Sequence, residues 1–317
     1  MHAVVIEETG GPEKLKYKEV KQPAPGSGEV LIKIAAAGVN YIDTYFRTGL
    51  YKIDLPAVLG SEGAGTVTAL GPNVEDLAAG DRVAYANVRG SYAEYAVIPA
   101  WQAVKIPDDV DFPTAAGVML QGLTAHYLTH STFPLGAGDR CLIHAAAGGV
   151  GTLLVQMAKM RGAHVIATVG DEAKAKIVQD LGADDIIIYT RDDFVPQAKG
   201  THVVYDSVGK DTFEKSLDCL QPRGLMVSFG NSSGPVPPVS PLVLSQKGSL
   251  FLTRPTLAHY TANREELEWR ASDVFSWLSS GKLSFHLHKT YPFREAGQAH
   301  IDLQGRKTAG KLVLVPG

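Results

Sequence analysis

Three stretches bring together residue types that can do chemistry: HAAAGGVG at 144–151, a segment holding Asn40, Tyr45, Arg47 and Tyr51, and FGNS at 229–232. Written against the dinucleotide fingerprint G-x-G-x-x-G, the first becomes Ala146-x-Gly148-x-x-Gly151, with alanine in the place of the first glycine. Such a loop offers free backbone amides to an anion when it leaves a strand and opens a helix. Here Gly148 would let the backbone approach a diphosphate, and Gly151 would let the helix pack closely on the sheet. Alanine at 146 serves if that residue keeps a negative φ. The competing reading is a glycine-rich turn needed only for packing.

The second stretch suits a planar, electrophilic acceptor. Asn40, Tyr45 and Tyr51 can polarise a carbonyl, and tyrosine adds an aromatic face. Each tyrosine taken singly reads equally as a half-buried residue of an α+β domain. Arg47 either helps electrostatically or holds its loop. No nucleophile with a base is evident, because Ser207 in YDSVG lacks the G-x-S-x-G elbow. The chemistry expected is therefore one that a cofactor carries. Hydride transfer asks the protein to position the ring, exclude water and polarise the carbonyl.

These residues need elements to hold them. The runs HAVVIEE, EVLIKIAAAGV, AGTVTAL, GDRVAYA and SYAEYAVIP, punctuated by Gly, Pro, Asn and Asp, predict a largely antiparallel β domain over the first hundred residues. A helical stretch begins near residue 114. Strands at 141–146, 164–169, 185–190, 202–208, 225–230 and 249–255 then follow, with helices at 148–162, 171–182 and 211–221 between them. Apolar strands joined by helices predict a doubly wound α/β domain. A helix at 264–281 and the tail KLVLVPG follow, and the tail is expected to rejoin the first domain. The boundaries expected are 1–118 and 258–317 for the β domain and 119–257 for the Rossmann domain between them.

Composition removes other classes. The chain has 317 residues, is 45% hydrophobic and 20% charged, and carries a net charge of −3 with no basic run, so neither nucleic acid nor an anionic membrane is an expected partner. No apolar run approaches the roughly 20 residues of a membrane span. The opening MHAVVIEETG reads as a strand rather than a signal segment, and a cytoplasmic protein is expected. Cys141 and Cys219 lie in apolar segments and read as buried core thiols.

The stretch GDRCLIHAAAGGVGTLLVQMAK (138–159) resembles the quinone oxidoreductase and zeta-crystallin family of the medium-chain dehydrogenase/reductase superfamily. So do GVNYIDTYFRTGLY (38–51), PAVLGSEGAG (56–65), LQGLTAHYL (120–128) and VVYDSVGKDTFEKSLDCLQPRGLMVSFGNSSG (203–234). The likeness is greatest to bacterial NADPH:quinone reductases. It implies a GroES-like β domain, a Rossmann domain, an active site in the cleft, and a dimer. In zinc-dependent relatives a cysteine and a histidine stand where this sequence has Asn40 and Ser61, neither a customary zinc ligand. The four-cysteine structural zinc loop is absent, and His286 and His288 have no evident third ligand. No metal is expected.

For the cofactor two cues conflict. Asp171, twenty residues past Gly151, is near where an acid would hold the ribose of NAD. Yet the strand HVIATV ends at Val169–Gly170, so Asp171 is better placed to start the next helix. Lys174 lies one turn on, and the resemblance implies that Gly170, Lys174 and Tyr189 hold the 2′-phosphate of NADPH; the alternative is a solvated helix lysine. The resemblance places the remaining cofactor contacts on Asn40, Thr124, the loop Ala147, Gly148, Gly149, Val150 and Gly151, Ser207, the turn Phe229, Gly230, Asn231 and Ser232, and Lys311. Asn40, Tyr45 and Tyr51 are the candidate catalytic residues. The expectation is a zinc-independent NADPH:quinone reductase acting on small quinones. The alternatives are an NADPH-dependent reductase of enones or enals and, from another class, an NADPH-binding crystallin or RNA-binding protein. The strand SLFLTRP (249–255) is expected to be an exposed edge through which two copies pair, unless PVPPVSP (235–241) covers it.

Overall fold

The computed structural model describes all 317 residues. The chain divides into two compact units, Met1–Leu123 with Thr261–Gly317, and Thr124–Tyr260.

The second unit holds a six-stranded parallel sheet built from Arg140–Ile143, His164–Val169, Asp185–Ile188, Thr201–Asp206, Leu220–Ser228 and Phe251–Thr253. Numbered along the unit, these strands lie in the order 3-2-1-4-5-6. This is the Rossmann arrangement, whose order reverses between strands 1 and 4 and leaves a crevice beyond their C-terminal ends. Leu142, Ile166, Ile187, Val204 and Met226, from five of the six strands, share a core with Phe213 and Leu217. The helix Gly149–Met160 is buried along most of its length, from Gly151 to Ala158, so it carries more than the single apolar stripe of a surface helix.

Several elements are shorter than the residue pattern suggests, for local reasons. The first strand stops at Ile143 because Ala145 turns left-handed at φ 51°. The helix Phe213–Cys219 ends where the chain enters the next strand at Leu220. Ser249, at φ 56°, delays the last strand until Phe251.

In the first unit the eleven-residue strand Glu29–Val39 is central. It pairs antiparallel with Glu62–Leu70, Tyr95–Pro99 and Lys311–Val315. Only Leu287–Pro292 runs parallel, beside Lys311–Val315. A smaller sheet sets His2–Ile6 between Lys16–Glu19 and Ala57–Val58. Val4, Ile32, Ile34, Val83, Phe293 and Leu312 share the core of this unit. The segment after Val39 is a helix, Tyr41–Thr48, closed by Gly49 in the left-handed conformation at φ 81°.

Candidate active site

The loop after Ile143 is organised around carbonyl oxygens rather than around its first glycine position. Ala146 keeps a negative φ, and the left-handed conformation falls one residue earlier, on Ala145. A Cβ on Gly151 would overlap the Ala145 and Ala146 carbonyl oxygens, and one on Gly148 would lie 3.1 Å from the former. Glycine at these positions lets the helix start directly against the strand end. Its first amides have no acceptor within the helix and carry the positive end of its dipole.

At the end of the second strand, Asp171 turns out of the sheet and caps the helix Glu172–Asp180, its Oδ1 accepting from the Lys174 amide at 2.9 Å. The Lys174 ammonium stands 3.6 Å from Asp171 Oδ2. Tyr189, 46% exposed, brings its hydroxyl over Gly170, where a Cβ would lie 3.0 Å from it. A cation, a phenol and an open backbone thus share one corner of the unit.

Ser207 and the 229–232 turn form a second constellation beyond the ends of strands 4 and 5. The Ser232 amide donates to the Ser207 carbonyl at 3.2 Å, and a Cβ on Gly230 would overlap that same carbonyl. Asn231 sets its amide against the Gly230 carbonyl and the Arg254 guanidinium, at 3.0 and 3.3 Å. Thr124 is buried. His144, also buried, lies 2.9 Å from both Thr168 Oγ1 and Ser216 Oγ. Burial holds its pKa below the ordinary value, so it is a neutral core histidine.

The first unit contains a buried polar cluster at Asn40. The Asn40 side chain is committed to this cluster. Its Nδ2 donates to Glu62 Oε1 at 2.7 Å, and its Oδ1 accepts from Lys311 Nζ at 2.8 Å and Gln121 Nε2 at 3.3 Å. Lys311 also pairs directly with Glu62 Oε1, and Glu62 Oε2 accepts the Leu120 amide at 2.7 Å. Neither charged group reaches water: Glu62 is 0% and Lys311 1% exposed. Burial pushes the Glu62 carboxyl up and the Lys311 ammonium down, while their mutual attraction opposes both shifts. Space for this comes from glycine, since a Cβ on Gly38 would overlap Glu62 Oε1.

A second buried chain runs from Ser61. Its hydroxyl donates to Asp43 Oδ1 at 2.6 Å, while Asp43 Oδ2 accepts from the Asn40 amide at 2.9 Å and the Tyr92 hydroxyl at 3.0 Å. His300 Nε2 lies 3.3 Å from that hydroxyl, and His300 Nδ1 lies 3.1 Å from Arg47. A guanidinium only donates, so Nδ1 accepts and Nε2 carries the proton. Burial, ahead of its three donors, moves the Asp43 pKa up to about 6. Burial, and then Arg47, moves that of His300 down to about 3. Arg47 also donates to the Gly10 carbonyl at 3.2 Å and to Gln304 at 2.8 Å. It therefore holds the loop and offers no charge to a ligand.

Tyr45 is buried and Tyr51 half-buried, their rings edge to face with centroids 5.2 Å apart. Sequence reasoning brought forward Asn40, Tyr45, Tyr51 and Lys311 but missed Glu62, Asp43 and His300. The one available signal was an acid in a glycine-flanked strand, Glu62 in SEGAG.

A Rossmann unit carried on one chain with an antiparallel β unit closed by Lys311–Val315 is the architecture of the medium-chain dehydrogenase/reductase superfamily. The zinc-binding dehydrogenase family profile matches residues 181–314, and that of the alcohol dehydrogenase GroES-like domain matches residues 26–108. The chain is 46% identical to a quinone oxidoreductase of Pseudomonas aeruginosa, with 97% of each chain covered. It is 42% identical to a 2-haloacrylate reductase of Burkholderia, covering 99% of this chain and 98% of that one. The Escherichia coli quinone oxidoreductase crystallised with NADPH superimposes with a TM-score of 0.98 at 43% identity, over 100% of both chains. The chain belongs to the quinone oxidoreductase family of that superfamily.

Proposed function

We propose that the protein is an NADPH-dependent quinone reductase that works without zinc. The observation that carries this reading is the constellation at Asn40, where an amide held by a buried ion pair stands at the position of a zinc ligand in metal-dependent relatives. No three His, Cys, Asp or Glu side chains are grouped so as to hold a metal ion. Although one matching family bears a zinc-binding name, the donor set at Asn40 and Ser61 fits a hydrogen-bond network and not a metal.

The residues fit NADPH. The amides of Ala147, Gly149, Val150 and Gly151 would face the diphosphate, that of Gly148 being committed to the Ala145 carbonyl at 2.9 Å, and Lys174 with Tyr189 would hold the 2′-phosphate over Gly170. Asp171 is held in place by its cap, with Oδ1 on the Lys174 amide and Oδ2 3.6 Å from the Lys174 ammonium, so the phosphate would share that cation with one carboxylate oxygen. Ser207, Thr124 and the turn Phe229, Gly230, Asn231 and Ser232 serve the nicotinamide end. When bound, the nucleotide supplies a hydride, and the proton that completes the hydroquinone comes from solvent. Asn40 would polarise the acceptor oxygen with the second hydrogen of its amide, which in the free protein makes only a long 3.5 Å bond to the Gly38 carbonyl, while Glu62, Lys311 and Gln121 fix which way round that amide lies. Tyr45 and Tyr51 offer ring faces and hydroxyls to the planar acceptor. Lys311, committed to Glu62 and Asn40, acts through that orientation and its field.

A reductase of activated alkenes is the second reading, favoured by the likeness to the 2-haloacrylate reductase. NADPH oxidation followed with benzoquinone, with an enone and with neither, before and after dialysis against a chelator, separates the possibilities. We expect turnover with benzoquinone that survives dialysis. Faster enone turnover, or activity lost and restored by zinc, overturns the reading.

We further infer a homodimer through the edge strand Phe251–Thr253. Phe251 is 61% and Leu252 37% exposed there, and an apolar edge with unpaired backbone groups invites a second chain. Two buried free thiols support a cytoplasmic location, and no helix is long and apolar enough to cross a membrane.

A further inference from the structure

One groove of the first unit shares Tyr51 with the acceptor site and is otherwise lined by residues given no part in the hydride reaction. It has a volume of about 480 Å³ and is lined by Thr9, Gly49, Tyr51, Lys52, Ile53, Asp54 and Arg89. Its walls are pinned from inside. The Gly10 amide donates to the Arg47 carbonyl at 2.8 Å while the Arg47 side chain returns to the Gly10 carbonyl, fixing the strip beside Thr9. The Tyr51 amide donates to the Tyr45 carbonyl at 3.1 Å. On the other side, the amides of Gly90 and Ser91 both donate to the Gly60 carbonyl, at 2.9 and 3.3 Å, holding the loop that carries Arg89.

Two cations face this groove without a carboxylate partner. The Arg89 guanidinium lies 5.0 Å over the Phe46 ring and makes neither a hydrogen bond nor an ion pair. Lys52 makes neither as well. Phe46 packs edge to face on Tyr51 at 5.8 Å, and Tyr51 on Tyr45 at 5.2 Å. A continuous run of rings therefore links the guanidinium to the residues assigned to the acceptor. A guanidinium stacked on an aromatic face keeps its planar fork of donors available for a carboxylate or sulfonate. Asp54 is the one opposing charge on the lining, so the groove carries a net charge of about +1 at neutral pH.

We propose that this groove binds an anionic substituent of the acceptor, so that the preferred substrates are quinones bearing a carboxylate or sulfonate beside the reducible ring. The inference rests on the quinone reductase reading. Arg89 and Lys52 take the substituent, the tyrosine pair takes the ring, and Asp54 limits the strength of the attraction. None of them takes part in electron or proton transfer.

The test is the ratio of kcat/KM for 1,4-naphthoquinone-2-sulfonate to that for 1,4-naphthoquinone, measured with NADPH on the full chain. Using a ratio cancels general effects of a substitution on folding and on the hydride step. Contacts to exposed charges are worth up to about fivefold each, so R89Q/K52Q should lower the ratio roughly tenfold. D54N should raise it. The wild-type ratio should also fall as salt is raised toward about 1 M, where the screening length is about 3 Å. An unchanged ratio in R89Q/K52Q, or D54N and R89Q/K52Q moving it in the same direction, overturns the proposal while leaving quinone reduction standing. Failure of the wild type to reduce either quinone overturns both.

Discussion

Lys311 and Glu62 are ion-paired out of reach of water although 249 positions separate them. Removing one partner of such a pair leaves a charge with neither counter-ion nor solvent, which costs about 3–5 kcal/mol. Glu62→Gln or Lys311→Met alone should therefore destabilise strongly, and the double variant should recover much of the loss. Denaturant unfolding of the four proteins measures the coupling, and additive losses would contradict the pairing. Because the pair also orients Asn40, kcat should remain low in the double variant even where stability returns.

The 2′-phosphate assignment gives a second prediction. Lys174→Ala should weaken NADPH binding about tenfold to a hundredfold, the worth of a charge-assisted contact of roughly 1.5–3 kcal/mol. NADH affinity should barely change. Calorimetric titration with both nucleotides checks this, and equal wild-type affinity for the two would defeat it.

Asp43 and His300 predict an unusual acid limb. An unfolded histidine takes a proton near pH 6.5, whereas native His300 stays neutral down to about 3, so its contribution to stability is lost as the pH falls. Asp43 has the opposite sign. Its native pKa of about 6 lies above the ordinary 3.8, so its contribution is present at low pH and lost as the pH rises through 4–6. Each acts with a slope of about 1.4 kcal/mol per pH unit, and between pH 4 and 6 the two cancel. His300→Gln should unmask the Asp43 slope, so that the variant gains on the wild type by about 2–3 kcal/mol between pH 6 and pH 4. Urea unfolding at those two values reads the difference directly. An unchanged gap between variant and wild type would show that His300 is not held neutral.

What could be read from sequence follows the physics of each element. Parallel strands buried on both faces are near-continuous apolar runs, which is why HVIATV coincides with the strand His164–Val169. Asp171 was legible as a cap because only Gly170 separates it from a strand end. The helix Tyr41–Thr48 was not, since only eight residues rich in Tyr and Thr carry little helical signal. The partnership of Glu62 with Lys311 was invisible because it arises from the register of strands far apart in the chain, and no local pattern records it. His300 lies in AGQAHID, where nothing marks it as the partner of Tyr92 and Arg47.

The dimer proposal makes a structural prediction at Phe251. Proline there would remove a backbone donor from the edge strand and should give a monomer or a misfolded chain. Light scattering of the wild type is the direct measurement: a dimer mass at micromolar concentration is expected, and a monomer mass would sink the proposal.

The closing of the Glu29–Val39 sheet by Lys311–Val315 has a consequence for synthesis. On the ribosome, residues 124–260 are complete and able to fold while the β unit still lacks its last central strand. Until residue 311 emerges, Glu62 has no counter-ion, the Asn40 carbonyl lacks its charged donor, and Ala37–Val39 at the end of the longest strand have no partner on one side. Domains fold as units as the chain emerges, so the Rossmann unit is expected first and the β unit only after residues 311–315 have been made. Nascent chains stalled with residue 260 exposed should already protect the Rossmann core from proteolysis, with Asn40 and its neighbours still open to cleavage.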